Sequence, residues 1–493
     1  MMSIEGFPVD IGVVYEGERI RKHEMYAEWG GVKQKYKFEL VRVRPLEAVE
    51  DGKVQVIGPD IKDLPEGAKA QPLGILVEVA GEQLKEEMEG VIERRIHDFC
   101  NYIEGFMHLN QRYDIWLRLS KKSFKKGLNS FTWIGKALCR LFKSELPIIE
   151  KIQVTFITDL EKVKEMFDEA LKIYEARDAR VRGLKDEEVD AFYGCTLCQS
   201  FAPTHVCVIT PQRYSNCGAI SWLDARIAAQ IDPKGPLFKI EKGDCLDPVL
   251  GEWSGVNKTV KEKSLGEVER VCLYSAFTYP HTSCGCFECA AFYIPEVDGL
   301  GIVHRGFAGN TVIGLPFTTI ADSTAGGRQV PGFHGLSFEY MRSPKFLQAD
   351  GGWERVVWMP SEAKERVKGF VPDEILDKIA TEKDVSNVEE LKKWLKEKGH
   401  PIVARWKEEE AVEEEKLPEE AAPAAVPAAP GAPVVAVPQA AAVPTAGGYQ
   451  LVLNLPMPAA AGGPTYKIIL KDVKIIAKKM ILKKITEEEK KKK

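Results

Sequence analysis

The chain has 493 residues, which at roughly 150 residues per domain allows about three units and a sizeable core. With 44% hydrophobic and 29% charged residues it has the composition of a globular protein, not of a disordered, collagenous or membrane one. Its 73 acidic against 68 basic side chains leave a net charge of -5, which excludes the global basic field expected of a nucleic-acid or anionic-membrane binder.

The first residues, through Lys22, lack a basic region followed by an apolar run, and no stretch reaches about 18 uninterrupted apolar residues. A cytoplasmic protein without a membrane span is therefore expected. Residues 1–165 read as a mixed α/β domain. Leu73 to Val79 has strand composition, and after Gly81 the pattern turns helical, with Leu84, Met88, Val91, Ile92, Ile96 and Phe99 on one face. A second strand-to-helix step runs from Ile152 to Ile157 and on through Val163, Phe167, Leu171 and Tyr174, a helix that bridges into the next domain.

Residues 166–405 hold nine of the eleven cysteines, together with glycine-rich stretches at 299–309 and 324–332 that read as site-forming loops. After Trp406 the composition changes. Residues 406–448, acidic and then rich in Ala and Pro, cannot bury enough surface to fold and read as a flexible linker. Residues 449–493 open with the strand-like Tyr449 to Leu455, continue Lys-rich, and read equally as a small docking segment or as a poorly ordered basic tail. The expected architecture is thus mixed α+β: two globular domains, a linker and a small C-terminal module.

The cysteine spacing carries the chemistry. Eleven cysteines are too few for a disulfide scaffold in a chain this long. Four of them, Cys195, Cys198, Cys207 and Cys217, form a C-x2-C-x8-C-x9-C series. Four thiolates around a compact centre suit a [4Fe-4S] cluster; structural zinc is the alternative, although zinc ribbons usually pair two C-x2-C knuckles. Further on, Cys284-Gly285-Cys286 can present two thiolates and the amide nitrogens of Gly285 and Cys286 in one plane, a donor set that favours Ni(II) or Cu(II) over tetrahedral zinc. Glycine at the centre permits the tight loop. Taken alone, the tripeptide is more often two buried thiols than a metal site. Cys100 and Cys139 read as core residues, and Cys245, Cys272 and Cys289 as structural.

The series and the tripeptide together, separated by residues 218–283, resemble the A-cluster domain of acetyl-CoA synthase, in particular the beta subunits of the archaeal acetyl-CoA decarbonylase/synthase complex. The similarity covers residues 1 to about 405. It implies a [Ni-Ni-4Fe-4S] centre, with Cys195, Cys198, Cys207 and Cys217 on the cubane and Cys198 also bridging to a proximal nickel. Cys284 and Cys286 would join that nickel to a distal one, whose square-planar site the Gly285 and Cys286 amides complete. Phe201 matches an aromatic over the proximal nickel, and Trp116 a tryptophan at the same site.

The resemblance further implies an acyltransferase that combines CO, a corrinoid-derived methyl group and coenzyme A into acetyl-CoA, or runs the reverse. CO dehydrogenase subunits, a corrinoid iron-sulfur protein and ferredoxin are its expected partners. Against bacterial members, the resemblance implies a chain without their N-terminal domain that docks on CO dehydrogenase. On charge and loop placement, Arg328 and Arg305 are candidates for the coenzyme A phosphates, and His281 is expected to pack its loop without binding metal. The competing reading is a non-catalytic iron-sulfur electron-transfer subunit, in which Cys-Gly-Cys is merely buried.

Overall fold

Strands β1 (Met25–Gly30), β2 (Lys37–Val43), β3 (Val54–Ile57), β4 (Ala68–Gln71), β5 (Leu73–Ala80), β6 (Phe106–Leu109), β7 (Trp116–Ser120) and β8 (Lys151–Ile157) build the first half of the protein. They form two four-stranded sheets, ordered β4-β1-β7-β6 and β2-β5-β8-β3. Helices α1 (Glu89–Asn101), α2 (Lys121–Lys125), α3 (Phe131–Glu145) and α4 (Leu160–Ala179) accompany them. Trp29, Ile75, Val77, Leu117, Ile134, Leu138 and Phe156 from both sheets and α3 meet in one core. The expected strands at 73–79 and 152–157 are β5 and β8. This computed structural model describes residues 6–406, together with the backbone of 440–445 and 448–453.

Helix α1 joins the two halves of the protein. Of its thirteen residues all but Arg95 are buried, so both its apolar and its polar face lie inside. Ile92, Ile96 and Phe99 enter the core of the first half, as the periodicity predicts. Val91 instead packs with Cys195, Cys207 and Cys217. Toward β2, Glu89 and Glu93 accept hydrogen bonds from the Val43 and Val41 amides of that edge strand (2.8 and 3.1 Å), which satisfies an edge that water or another strand would otherwise cover. Arg177 from the last turn of α4 pairs with both carboxylates at 2.7 and 2.8 Å.

Helix α4 thus bridges as expected, but with a different face. Val163, Phe167, Ala170 and Tyr174 are its buried stripe, a 4-3-4 spacing, and Leu171 is left 36% exposed. The boundary expected near residue 165 falls inside this helix, and residues 6–406 belong to one compact unit. Ile227 of the second half joins the core of the first.

The second half holds β9 (Ala191–Cys195), β10 (Cys207–Ile209) and β11 (Leu237–Glu241) in a three-stranded antiparallel sheet centred on β9. Helix α5 (Trp222–Ile231) packs on that sheet, and the hairpin β12 (Cys245–Asp247) and β13 (Glu252–Trp253) precedes α6 (Ser254–Lys263). A second sheet contains β14 (Cys289–Ile294), β15 (Gly299–His304), β16 (Phe333–Leu336) and β17 (Val356–Trp358) in the order β16-β14-β15-β17. Around it lie α7 (Phe317–Thr324), α8 (Phe338–Met341), α9 (Ser361–Val367), α10 (Asp373–Leu376) and α11 (Val388–Glu397).

The glycine-rich stretch beginning at Gly299 departs from expectation: through His304 it is not a loop but the buried strand β15. A Cβ on Gly301 would come within 2.2 Å of the Phe292 ring on the neighbouring strand, so glycine serves packing there.

Residues 440–445 and 448–453 form an antiparallel hairpin, β18 (Ala440–Thr445) and β19 (Gly448–Leu453). Strand β18 lies within the stretch expected to be linker, and β19 matches most of the strand expected from Tyr449. The rest of the expected linker, 407–439, and the bulk of the expected docking segment, 454–493, lie outside the described residues. Among the described residues, no helix is long and apolar enough to cross a membrane.

Candidate metal centre

The four-cysteine series is folded by the sheet around β9. Cys195 ends β9 and Cys207 begins β10, and the antiparallel register pairs the two directly. Between them the chain makes a single turn of 3-10 helix, Leu197–Ser200, that carries Cys198. Cys217 follows in the next loop, where the Gln111 side chain donates to its carbonyl at 2.6 Å. Cys195, Cys207 and Cys217 share one buried apolar group, and Cys286 packs against it.

The Cys-Gly-Cys tripeptide arrives on the loop before β14. The sulfurs of Cys198, Cys284 and Cys286 all lie within 4.8 Å of one another, close enough to hold one metal ion. The other three thiols of the series are not part of that tight group. A cubane does not require it, because each thiolate binds a different iron.

The tripeptide is fixed from several sides. The Cys286 N–H donates to the Cys284 sulfur at 3.2 Å, which brings a nitrogen and a sulfur of the tripeptide side by side. Gly285 has φ +146, a backbone conformation that residues with a Cβ rarely adopt. The Gly326 and Gly327 amides donate to the Cys284 and Ser283 carbonyls at 3.0 and 2.9 Å, so the loop at 324–332 is tied to the tripeptide. Arg305, expected with Arg328 to meet coenzyme A phosphates, is instead committed to this loop. It donates to the Gly285 carbonyl and to the Phe287 carbonyl (3.0 Å) and lies 5.0 Å from the centre of the Phe317 ring.

His281 packs its loop as anticipated. Its Nε2 accepts from the Val208 N–H of β10 at 2.8 Å, and its Nδ1 therefore donates to the Thr282 carbonyl at 2.7 Å. Both ring nitrogens are occupied, and the histidine ties the tripeptide loop to the strand that carries Cys207. Phe201 is 37% exposed, and a Cβ on Gly285 would lie 3.8 Å from its ring, so the ring borders the centre of the tripeptide. Arg328 is exposed on the loop that holds Cys284. Trp116 opens β7 and packs against Gly31 and the Arg118 guanidinium.

Of the other cysteines, Cys100 and Cys139 lie in the first core, Cys289 is buried in β14 and Cys272 is buried, whereas Cys245 is exposed on β12.

Without a metal, burial holds most of these thiols protonated. Burial pushes the Cys207 thiol up to about 11 against the pull of Arg213, and burial raises Cys195 in the same direction. Among the three crowded sulfurs, contact with Cys198 and Cys284 favours the thiolate at Cys286, with His97 assisting, while Cys198 and Cys284 hold their protons. A bound metal displaces such protons and supplies the compensating charge.

Helix α1 contributes residues that the periodicity did not single out. Arg94 Nη2 lies 3.5 Å from the Cys198 sulfur and 4.0 Å from that of Cys286. One turn later, His97 Nε2 lies 3.8 Å from Cys286 Sγ. Polar residues opposite an apolar stripe normally face solvent, so the only local signal for them is the pairing of Arg94 and Asp98 four residues apart.

Two sequence families match this chain: one described as the "CO dehydrogenase/acetyl-CoA synthase complex beta subunit" over residues 7–163, and one described as the C-terminal part of the ACS/CODH beta subunit over residues 174–406. Full-length relatives agree. The acetyl-CoA decarbonylase/synthase complex subunit beta 2 of Methanocaldococcus jannaschii is 58% identical over 413 residues, 84% of this chain and 86% of its own length. The subunit beta of Methanopyrus kandleri is 52% identical over 491 residues, 99% of this chain and 100% of its own. That of Archaeoglobus fulgidus is 56% identical over 398 residues, covering 80% and 76%.

Proposed function

Because the chain belongs to the beta subunits of the acetyl-CoA decarbonylase/synthase complex, we propose that it is an acyltransferase that joins CO, a corrinoid-derived methyl group and coenzyme A into acetyl-CoA, or cleaves it, at a [Ni-Ni-4Fe-4S] centre. The observation that carries the reading is the meeting of Cys198 with Cys284 and Cys286, whose three sulfurs approach within 4.8 Å. Soft thiolates with adjacent amide nitrogens suit nickel, and the remaining thiols of the series suit a cubane.

In this reading Cys195, Cys198, Cys207 and Cys217 hold the [4Fe-4S] unit, Cys198 also serves the proximal nickel, and Cys284, Gly285 and Cys286 hold the distal one. Bound there, thiolate-ligated nickel supplies the soft, redox-active site at which a methyl group, CO and a thiol can be combined.

The protein's own part is orientation and exclusion of water. Arg305 anchors the Gly285 and Phe287 carbonyls, which sets the direction of the peptide planes between the two thiols. His281 and the Gly326 and Gly327 amides fix the tripeptide to β10 and to the loop after α7. Cys284 is only 2% exposed, so its sulfur is removed from bulk water. Phe201, 37% exposed beside Gly285, shapes access for a small gas molecule. Arg328, exposed beside this loop, is the residue left to meet a coenzyme A phosphate once Arg305 is occupied.

CO dehydrogenase subunits, a corrinoid iron-sulfur protein and ferredoxin are the proposed partners, and the cytoplasm the proposed location.

Metal-loaded protein should form acetyl-CoA from CO, a methylated corrinoid donor and coenzyme A under anaerobic conditions. A chain that carries both iron and nickel yet forms none would overturn the assignment. Phe201→Ala is expected to change the CO concentration that half-saturates this reaction while leaving nickel content intact; an unchanged CO dependence would make the ring a packing element only.

A further inference from the structure

Helix α1 brings a cation and an imidazole to the sulfurs, and the charge balance around them is incomplete without the sulfurs. Arg94 is 1% exposed and pairs with Asp98 at 2.7 Å, but Asp98 also receives Arg95 at 2.9 Å. One buried carboxylate therefore serves two guanidinium groups, with Glu145 a second, more distant partner of Arg95 at 3.9 Å. A buried guanidinium needs compensating charge and acceptors, and the other acceptors that Arg94 meets are the Cys198 and Cys286 sulfurs.

His97 is held just as firmly. Its Nδ1 faces Nδ1 of His108 at 2.9 Å, and His108 Nε2 in turn contacts the Glu39 carboxyl. Only one hydrogen can occupy the contact between the two Nδ1 atoms. Asn101 locks the pair in place, donating to the His97 and His108 carbonyls at 2.9 Å each and accepting from the His108 N–H at 2.8 Å. His108 and Glu39 are both fully buried. Burial drives His108 toward neutral imidazole, its pKa lowered to about 3, and holds Glu39 well above the usual carboxylate range. With Glu39 protonated, its hydrogen would go to His108 Nε2 and the His108 Nδ1–H to His97 Nδ1, which leaves the His97 hydrogen on Nε2. That atom lies 3.8 Å from Cys286 Sγ and 3.4 Å from the Asn101 amide nitrogen, whose hydrogens are already given to the two carbonyls.

We propose that Arg94 and His97 are positioning residues that donate hydrogen bonds to the metal-binding sulfurs of Cys198 and Cys286, and that the Asn101–His108–Glu39 network keeps His97 in the tautomer that can donate. The inference rests on the nickel-iron-sulfur reading and adds to it a shell that orients the sulfurs and withdraws electron density from them. Such outer-shell partners typically contribute 10- to 100-fold in metal affinity.

The test uses the full-length chain, purified anaerobically and loaded with nickel. Arg94→Met, Arg94→Lys, His97→Leu, His97→Gln and His108→Leu would be compared by metal content, by the infrared stretching frequency of bound CO and by the midpoint potential of the centre. Arg94→Met and His97→Leu should weaken nickel binding about tenfold. With less electron density withdrawn from the sulfurs, they should also lower the CO frequency and move the potential negative. His108→Leu touches no proposed ligand and should move the CO band in the same direction as His97→Leu.

Arg94→Lys and His97→Gln, which keep a donor, should fall between wild type and the truncations. If the truncated variants do not fold, this conservative pair carries the test. Variants that hold wild-type metal with an unmoved CO band and potential would overturn the inference alone. A wild-type chain that takes up no nickel and shows no CO band would overturn the proposed centre, and the inference with it.

Discussion

Cys207→Ala and Cys217→Ala are each expected to lose most of the bound iron and the visible absorption of the cluster. Each is the only protein ligand proposed for one iron, and both are buried beside Cys195 in the group against which Cys286 packs. Cys207 is paired in register with Cys195 across β9 and β10, and no other described thiol stands opposite that position. Cys289→Ala is the matched control. Cys289 is equally buried, but on β14 within a separate apolar core, so its removal should destabilise the fold modestly and leave the iron in place. Iron content and absorption measured on all three variants decide the matter. Four irons retained in both Cys207→Ala and Cys217→Ala would remove the cubane from the account.

The second large effect is at Gly285. With φ at +146 this position suits glycine, although the surroundings leave room for a side chain, the nearest atoms to an added Cβ being Ala325 Cβ at 3.6 Å and Phe201 at 3.8 Å. Gly285→Ala is therefore a backbone perturbation and not a steric clash. Strain of about 1–3 kcal/mol corresponds to roughly five- to 150-fold weaker nickel binding if the strain is relieved by letting the loop leave its metal-binding conformation. Gly285→Pro should do more. Its fixed φ near -65° is incompatible with the loop, and its nitrogen carries no proton to release on binding a metal. Nickel per iron should fall in part for alanine and to the background level for proline, with the cubane absorption preserved in both. Proline variants that retain full nickel would show that the residue 285 amide is not a donor.

How much of this was legible in the chain depends on whether the signal was local. The cysteine series and the Cys-Gly-Cys tripeptide are read from short spacings, and covalent geometry limits what such spacings can bind. Strands β5 and β8 and the apolar faces of α1 and α4 were visible for the same reason, since period and composition are properties of a few consecutive residues. The failures are tertiary. Leu171 fits a helical face by spacing, but Ala170 is the residue that packs in the core. The glycines at 299 and 301 resemble loop material until the Val357 and Phe292 side chains that press on them are known. Arg94, His97 and Asn101 read as the solvent side of an amphipathic helix, and only the packing of α1 between the two halves of the protein turns that side inward. Arg305 was identified as a cation in a suitable loop, but its commitment to the Gly285 carbonyl depends on how β15 lies beside the tripeptide.

The most direct measurement is the metal content of the anaerobically purified, full-length chain after incubation with nickel. A composite centre built on the four-cysteine series and on Cys284, Gly285 and Cys286 predicts about two nickel ions for every four irons. Four irons with no nickel, and a tripeptide whose two thiols remain free to alkylation, would contradict it and leave an iron-sulfur protein that carries electrons without performing acyl chemistry.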